Sequence, residues 1–98
     1  MDLQLFIRSN RELFSKLTRD GLLVLGPDEK FIYILKGVGG LIWDKADGKK
    51  TAKEIIEYIS QKFEIDSNVA KKDTLAFLKD VVREAPSLFI FSKVPIKT

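Results

Sequence analysis

The chain has 98 residues, which is the size of one domain with a single hydrophobic core. It contains no cysteine and no histidine. This excludes disulfides, thiolate metal sites, a cysteine nucleophile and the most common general base of enzymes. The net charge is only +3, with acidic and basic residues interspersed. The composition is that of an ordinary globular domain and points away from hydrolases and metalloenzymes.

The sequence shows neither a membrane anchor nor an export signal. Its apolar runs are far shorter than the ~20 residues of a membrane span. The start, Met1-Asp2-Leu3-Gln4, lacks the basic region of a signal peptide. We therefore expect a cytoplasmic protein without a membrane partner. Because no nucleophile motif or ligand cluster is recognisable, we also expect no catalytic residue, no metal and no cofactor.

The first half of the chain predicts strands. Residues 21–25 (GLLVL) and 31–35 (FIYIL) are apolar runs on either side of a polar loop with Pro27, which is typical of a β-hairpin. The preceding segment allows two interpretations. Ser9 to Glu12 fits a helical capping box, whereas residues 13–17 alternate as in a strand, and we favour a strand near residues 14–18.

Helical periodicity replaces the strand pattern after Gly37. A first helix begins near Val38 and ends at the Asp47-Gly48 pair. Thr51 and Glu54 form a capping box that starts a second helix.

A third helix runs from residues 66–67 to about Glu84, because Pro86 disfavours helical geometry at Ala85. The apolar tail, residues 88–91, predicts either an edge strand or a segment packed across the core. Strands followed by helices indicate an α+β fold: a small N-terminal antiparallel sheet followed by three helices, similar to a winged helix-turn-helix, in one domain over residues 1–98.

The apolar side chains of the third helix cover an arc of about 160°, wider than one core contact needs. One shoulder carries Leu75 and Val82, and the other carries Ala70, Phe77 and Val81. The wide arc is explained either by the tail folding over one shoulder or by a groove between this helix and strand 31–35. An uncovered edge strand is a docking site for an extended peptide.

Other features are better explained structurally. Gly37, Gly39 and Gly40 stand where a phosphate loop would lie, but the third glycine of the dinucleotide pattern is missing. Asp44 and Asp47 lack the remaining ligands of a calcium loop. The glycines therefore predict a tight strand-to-helix turn, and the carboxylates a solvated helix residue and a turn.

Several segments together resemble the PqqD family, coenzyme PQQ synthesis protein D, which includes peptide-recognition elements of ribosomal peptide modification systems. The resemblance covers residues 19–88 and leaves residues 89–98 outside. The similar segments are the strands 21–25 and 31–35, Ile42-Trp43, Asp47-Gly48, Thr51, Glu54-Ile55, Phe63, Asp73 and Phe77-Leu78.

The resemblance implies a non-catalytic peptide chaperone, or adaptor. Such a protein binds the leader of a ribosomally made precursor peptide as an added strand and presents it to a modifying enzyme of the radical S-adenosylmethionine type, here as a monomer or a dimer. The binding residues implied on the strand and on the third helix are Phe31, Ile32, Tyr33, Ile34, Ala70, Asp73, Thr74, Phe77 and Val81.

The alternative function is a DNA-binding winged-helix regulator. A recognition helix needs exposed basic or amide side chains near its start. The third helix offers Asn68, Lys71 and Lys72 there, beside the acidic Asp66 and Asp73. Nucleic acid is therefore not the expected partner.

Overall fold

The fold is known from a computed structural model that describes residues 1–27 and 31–97. It is α+β, as the sequence predicts, with two three-stranded antiparallel sheets and three helices. The elements in chain order are β1 (Phe6–Ser9), β2 (Ser15–Thr18), β3 (Gly21–Leu25), β4 (Ile32–Leu35), α1 (Val38–Lys45), β5 (Asp47–Thr51), α2 (Ala52–Phe63), α3 (Ser67–Glu84) and β6 (Phe89–Ser92).

One sheet has the strand order β2-β3-β4. It confirms the pairing of the two strands predicted as a hairpin and the predicted strand near residues 14–18, whereas residues 28–30 of the predicted polar loop lie outside the described residues. Leu22 pairs with Leu35 and Val24 with Tyr33, so these four side chains lie on the same face of the sheet. Val24 is fully buried and Leu35 nearly so, which identifies this face as the one that packs on the core.

The second sheet, with the order β5-β1-β6, is where the sequence analysis was incomplete. It missed β1 altogether, and it took Asp47-Gly48 as the end of a helix and a turn, whereas these residues begin β5. Neither strand has a strong local signal, because β1 contains arginine and serine and β5 reads DGKKT. Their strand character depends on pairing with each other across the fold. The tail forms β6, which pairs with β1 and confirms the edge-strand alternative.

The helix ends follow the predicted signals. At the start of α2, the Thr51 hydroxyl accepts the Glu54 N–H and the Glu54 carboxylate accepts the Thr51 N–H, which is a complete capping box. The Asp66 carboxylate accepts the Asn68 N–H at the start of α3. Ala85, before Pro86, leaves helical geometry with φ −145° and ψ 59°.

The core lies between the two sheets and the helices. All three helices and strands of both sheets contribute to one cluster of buried side chains, in which Ile7, Ile42, Ile55, Ile59 and Leu78 are fully buried. Because a second sheet shares this core, the winged helix-turn-helix describes the molecule only loosely. Among the described residues, no helix combines the length and apolarity needed to cross a bilayer.

Candidate functional site

The β4 strand lies at the edge of its sheet, and no described strand pairs with its outer side. At the end of the hairpin, Gly26 donates its N–H to the Phe31 carbonyl over 2.8 Å. In an antiparallel ladder, such hydrogen-bonded pairs alternate with pairs whose backbone groups point away from each other. Residues 31, 33 and 35 therefore bond to β3, and the N–H and C=O groups of Ile32 and Ile34 point to the open edge.

The side chains along this edge are apolar and exposed. Phe31, Ile32 and Ile34 keep 63%, 61% and 48% of their surfaces accessible. Several large apolar side chains exposed next to one another are characteristic of interaction sites. Tyr33 points to the opposite face and is half-buried against the core.

A groove runs between this edge and α3. It encloses a volume of about 150 Å³ and has walls that are mainly apolar. Its lining residues are Tyr33, Ile34, Leu35, Phe77, Asp80, Val81, Glu84, Ala85 and Leu88. The groove is continuous with the open edge, because Tyr33, Ile34 and Leu35 of β4 belong to its lining.

The aromatic wall of the groove is held from two sides. The ring of Phe77 meets the ring of Phe89 edge-on, with centroids 6.0 Å apart and planes at 87°. Phe89 in turn meets Trp43 of α1 edge-on at 5.6 Å. This chain of T-shaped contacts fixes the position of Phe77 relative to the tail strand and the first helix.

The structure brings some of the predicted site residues together and separates others. Phe31, Ile32, Tyr33 and Ile34 follow the open edge, and Phe77 and Val81 line the groove. Ala70 and Thr74 are fully buried, so a peptide in this groove would not touch them. Asp73 is exposed on α3 but does not line the cavity.

Sequence reasoning missed the acidic rim of the groove. Asp80 and Glu84 lie three and seven residues after Phe77, which places them beside it on the helix surface. This spacing could have revealed them, but of the acidic residues on this flank the prediction included only Asp73. Leu88 was assigned to the tail and also proves to line the groove.

The other shoulder of α3 faces a second, wider groove of about 640 Å³. It is lined by Met1, Leu5, Leu75, Lys79, Val82 and Phe91. Both explanations for the wide apolar arc of α3 are therefore present, because the tail strand approaches one shoulder and β4 the other.

The lysines of α3 lie away from the β4 groove. At about 100° per residue, Lys71, Lys72 and Lys79 fall outside the flank of Phe77, and only Arg83 reaches back to contact Asp80 and Glu84. Asp73, Asp80 and Glu84 fall within about 40° of one another beside that flank. The side of the helix that borders the groove is therefore acidic, although the chain as a whole is basic.

Comparison with known proteins gives one family. No curated protein and no solved structure matches the chain. The family model for coenzyme PQQ synthesis protein D matches residues 21–85, which include β3, β4 and all three helices. Since this match covers most of the chain and the whole of the β4–α3 groove except Leu88, the chain belongs to the PqqD family.

Proposed function

We propose that this protein is a non-catalytic peptide adaptor. It binds the leader of a ribosomally made precursor peptide as a strand added to β4 and presents it to a modifying enzyme of the radical S-adenosylmethionine type. Membership of the PqqD family supports an accessory role in coenzyme PQQ synthesis or a related peptide modification. The observation that carries the proposal is the open edge of β4 beside an apolar groove.

The edge supplies affinity that does not depend on the ligand sequence. Ile32 and Ile34 each offer one N–H donor and one C=O acceptor, which match the spacing of an antiparallel partner strand. The described residues of β4 contain neither a proline nor a bulge, two common features that protect an edge strand against pairing. An edge left open beside exposed isoleucines is what peptide recognition by strand addition requires.

The groove supplies selectivity. Alternate side chains of an added strand point to opposite faces, so a ligand residue that faces α3 would meet Phe77 and Val81. Tyr33, on the neighbouring strand, completes the apolar floor. Of the other predicted residues, Ala70 and Thr74 enter this proposal only as buried positions of α3, and Asp73 as an exposed residue outside the groove lining.

The DNA-binding alternative has less support in the structure. Near the start of α3, the carboxylate of Asp66 caps the helix by accepting the Asn68 N–H. The Asp66 carboxylate therefore adds a negative charge at the end of the helix that would approach phosphates. A steep loss of duplex binding with added salt would be the signature of that function.

The test uses proline to remove a single edge donor. Selection from a displayed random library of peptides of about twelve residues, long enough to span the strand at ~3.3 Å per residue, provides the ligands. The Ile34→Pro variant removes an N–H that points outward, so the β3–β4 ladder keeps its bonds. We expect affinity for selected peptides to fall about tenfold or more, since a hydrogen bond is lost and the ring obstructs the edge.

A proline at the other edge of the same sheet is the matched control. Leu17 of β2 is 79% exposed, and its backbone also points away from β3. We expect Leu17→Pro to leave peptide affinity unchanged. Equal losses in both variants, or full binding by a folded Ile34→Pro protein, would contradict strand addition at β4.

A further inference from the structure

The β4 edge dictates which way each ligand side chain points. In an antiparallel pair, directly opposed residues share a face of the sheet. A ligand residue opposite Tyr33 therefore faces α3 and enters the groove. Its two neighbours, opposite Ile32 and Ile34, face the outer side of the sheet. The two kinds of position meet different surroundings, so each selects its own chemistry.

The inward position meets a small, open apolar groove whose lining includes two carboxylates. The volume of about 150 Å³ is that of a single side chain. Phe77, Val81 and Leu88 are apolar walls, and Asp80 and Glu84 border the opening. Such a cavity suits a long side chain with an aliphatic stem and a charged head, because lysine and arginine bury the stem and keep the head near solvent.

The carboxylates at the mouth keep an excess of negative charge. Arg83 contacts Asp80 Oδ1 at 3.0 Å and Glu84 Oε1 at 3.2 Å, through the same nitrogen. One guanidinium thus serves two carboxylates, and the described residues place no other cation within ion-pair distance of either. The rim of the groove therefore attracts a ligand cation and repels a ligand carboxylate.

The outward positions meet an apolar sheet surface. The pairing registers place one set of side chains on the outer face of the β2-β3-β4 sheet, beginning with Lys16 opposite Leu23 and Ile34. Apart from Lys16, the residues around the free end of this face are apolar: Phe14, Leu23, Leu25, Ile32 and Ile34. A strand added beside Ile32 and Ile34 extends this face by one row, and aliphatic side chains pack best there.

We infer that the peptide strand bound at β4 carries a lysine or arginine at the position facing α3, between two aliphatic residues that face outward. The inference rests on the proposed function, because it presumes a strand at this edge. Beyond that function, the inference specifies which type of ligand residue is preferred at each position of the bound strand. Asp80 and Glu84 become the specificity-determining residues of the groove, which act on the head of the inward side chain.

The test is a selection from the same displayed peptide library, followed by single substitutions in one enriched peptide. We expect enriched sequences to share an aliphatic–basic–aliphatic triplet. Synthetic copies that differ only at the central residue should bind with affinities in the order lysine, leucine, glutamate. We expect about a tenfold difference between lysine and glutamate, the magnitude of two partly exposed charge contacts.

Neutralising the carboxylates of Asp80 and Glu84 should remove the preference for lysine over glutamate peptides. In the double variant Asp80→Asn/Glu84→Gln, the preference for the lysine peptide over the glutamate peptide should disappear, because both carboxylates are gone and Arg83 is the charge that remains at the rim. The control double variant, Asp44→Asn/Glu57→Gln, makes the same chemical change at exposed positions of α1 and α2. It should keep the full preference for lysine.

The outcomes separate the inference from the proposed function. Enriched peptides that depend on the Ile34 edge but show no central basic residue would overturn the inference and leave strand addition intact. A preference for lysine that survives neutralisation of Asp80 and Glu84 would also overturn it. Failure of any peptide to enrich, or enrichment that Ile34→Pro does not affect, would overturn both.

Discussion

Gly39 of α1 and Phe77 of α3 touch so closely that no side chain fits between them. A Cβ atom placed on Gly39 would lie 2.7 Å from Cε1 of the Phe77 ring, well inside van der Waals contact. The first helix therefore sets the depth at which the aromatic wall of the groove lies. This glycine was predicted to serve a tight turn, and its structural importance lies in the approach of two helices.

Gly39→Ala should reduce peptide binding more than it reduces stability. The added methyl must displace the Phe77 ring, which is half-buried and lines the groove. Alanine also favours the helix over glycine by about 0.5–1 kcal/mol, so the free energy of unfolding should change little. We expect the affinity for a selected peptide to fall about threefold or more, as for the loss of one apolar contact. Urea melts and peptide titrations measure the two effects.

Gly40→Ala is the matched control in the same turn of α1. A Cβ there would meet only the Leu35 carbonyl oxygen at 3.4 Å, an ordinary contact. We expect this variant to gain about 0.5–1 kcal/mol of stability from helix propensity and to bind peptide normally. If Gly40→Ala weakened binding as much as Gly39→Ala, the position of Phe77 would not be the cause.

The elements that could be predicted are those determined by residues close together in the sequence. The hairpin and the Thr51 capping box depend on turn chemistry and on a hydrogen bond three residues apart, both readable along the chain. The β1 and β5 strands depend on partners distant in sequence. Ser9 illustrates this, because its buried hydroxyl is satisfied by the Trp43 carbonyl at 2.6 Å, a contact that only the tertiary fold creates.

The same distinction holds for the candidate site. Phe77 and Val81, which line the groove, could be placed on one flank of α3 because their apolar spacing is visible in the sequence. Ala70 and Thr74 share that arc but are buried, since α3 packs on the core along part of it. Which positions of an apolar arc face solvent is decided by neighbouring elements, and no periodicity reveals it.

The capping box of α2 gives a prediction about stability. Thr51→Ala removes the oxygen that accepts the Glu54 N–H at 3.2 Å. We expect a loss of about 1 kcal/mol in the free energy of unfolding, measured by urea denaturation. Thr51→Ser retains the hydroxyl and should recover most of this stability. Equal losses in the two variants would assign the effect to packing of the threonine methyl group.

Asp47 makes stability depend on pH in acid. Burial raises its pKa, but hydrogen bonds from the Lys50 ammonium and the Lys49 N–H outweigh this, and the pKa is lowered below its ordinary value. A carboxyl with a lowered folded-state pKa stabilises the fold above its unfolded pKa, and this stabilisation is lost as the pH falls through the folded value. The stabilisation by Asp47 is therefore lost at pH values below about 4.

Urea melts between neutral pH and this acidic window test the contribution. We expect Asp47→Asn to be less stable than the native protein at neutral pH and to lose less stability on acidification. Lys50→Met should have the same effect, because it removes the partner 2.8 Å away. Both groups are more than a third exposed, so added salt should shrink the difference. If both variants lost as much stability on acidification as the native protein, the pH dependence would not come from Asp47.

The tail beyond residue 85 lies outside the family match, yet it should be indispensable to this fold. Leu88 is 1% exposed and lines the groove, and Phe89 is 3% exposed between Trp43 and Phe77. We expect Leu88→Ala to cost about 2–5 kcal/mol and Phe89→Ala about 3–5 kcal/mol in the free energy of unfolding, because each leaves a cavity.

Ile90→Ala, at a side chain 36% exposed on the same strand as Phe89, is the control and should cost about 1 kcal/mol or less. Urea denaturation of the three variants decides the matter. If Phe89→Ala were as mild as Ile90→Ala, the tail would be an appendage, and the aromatic contacts that hold Phe77 would not shape the groove.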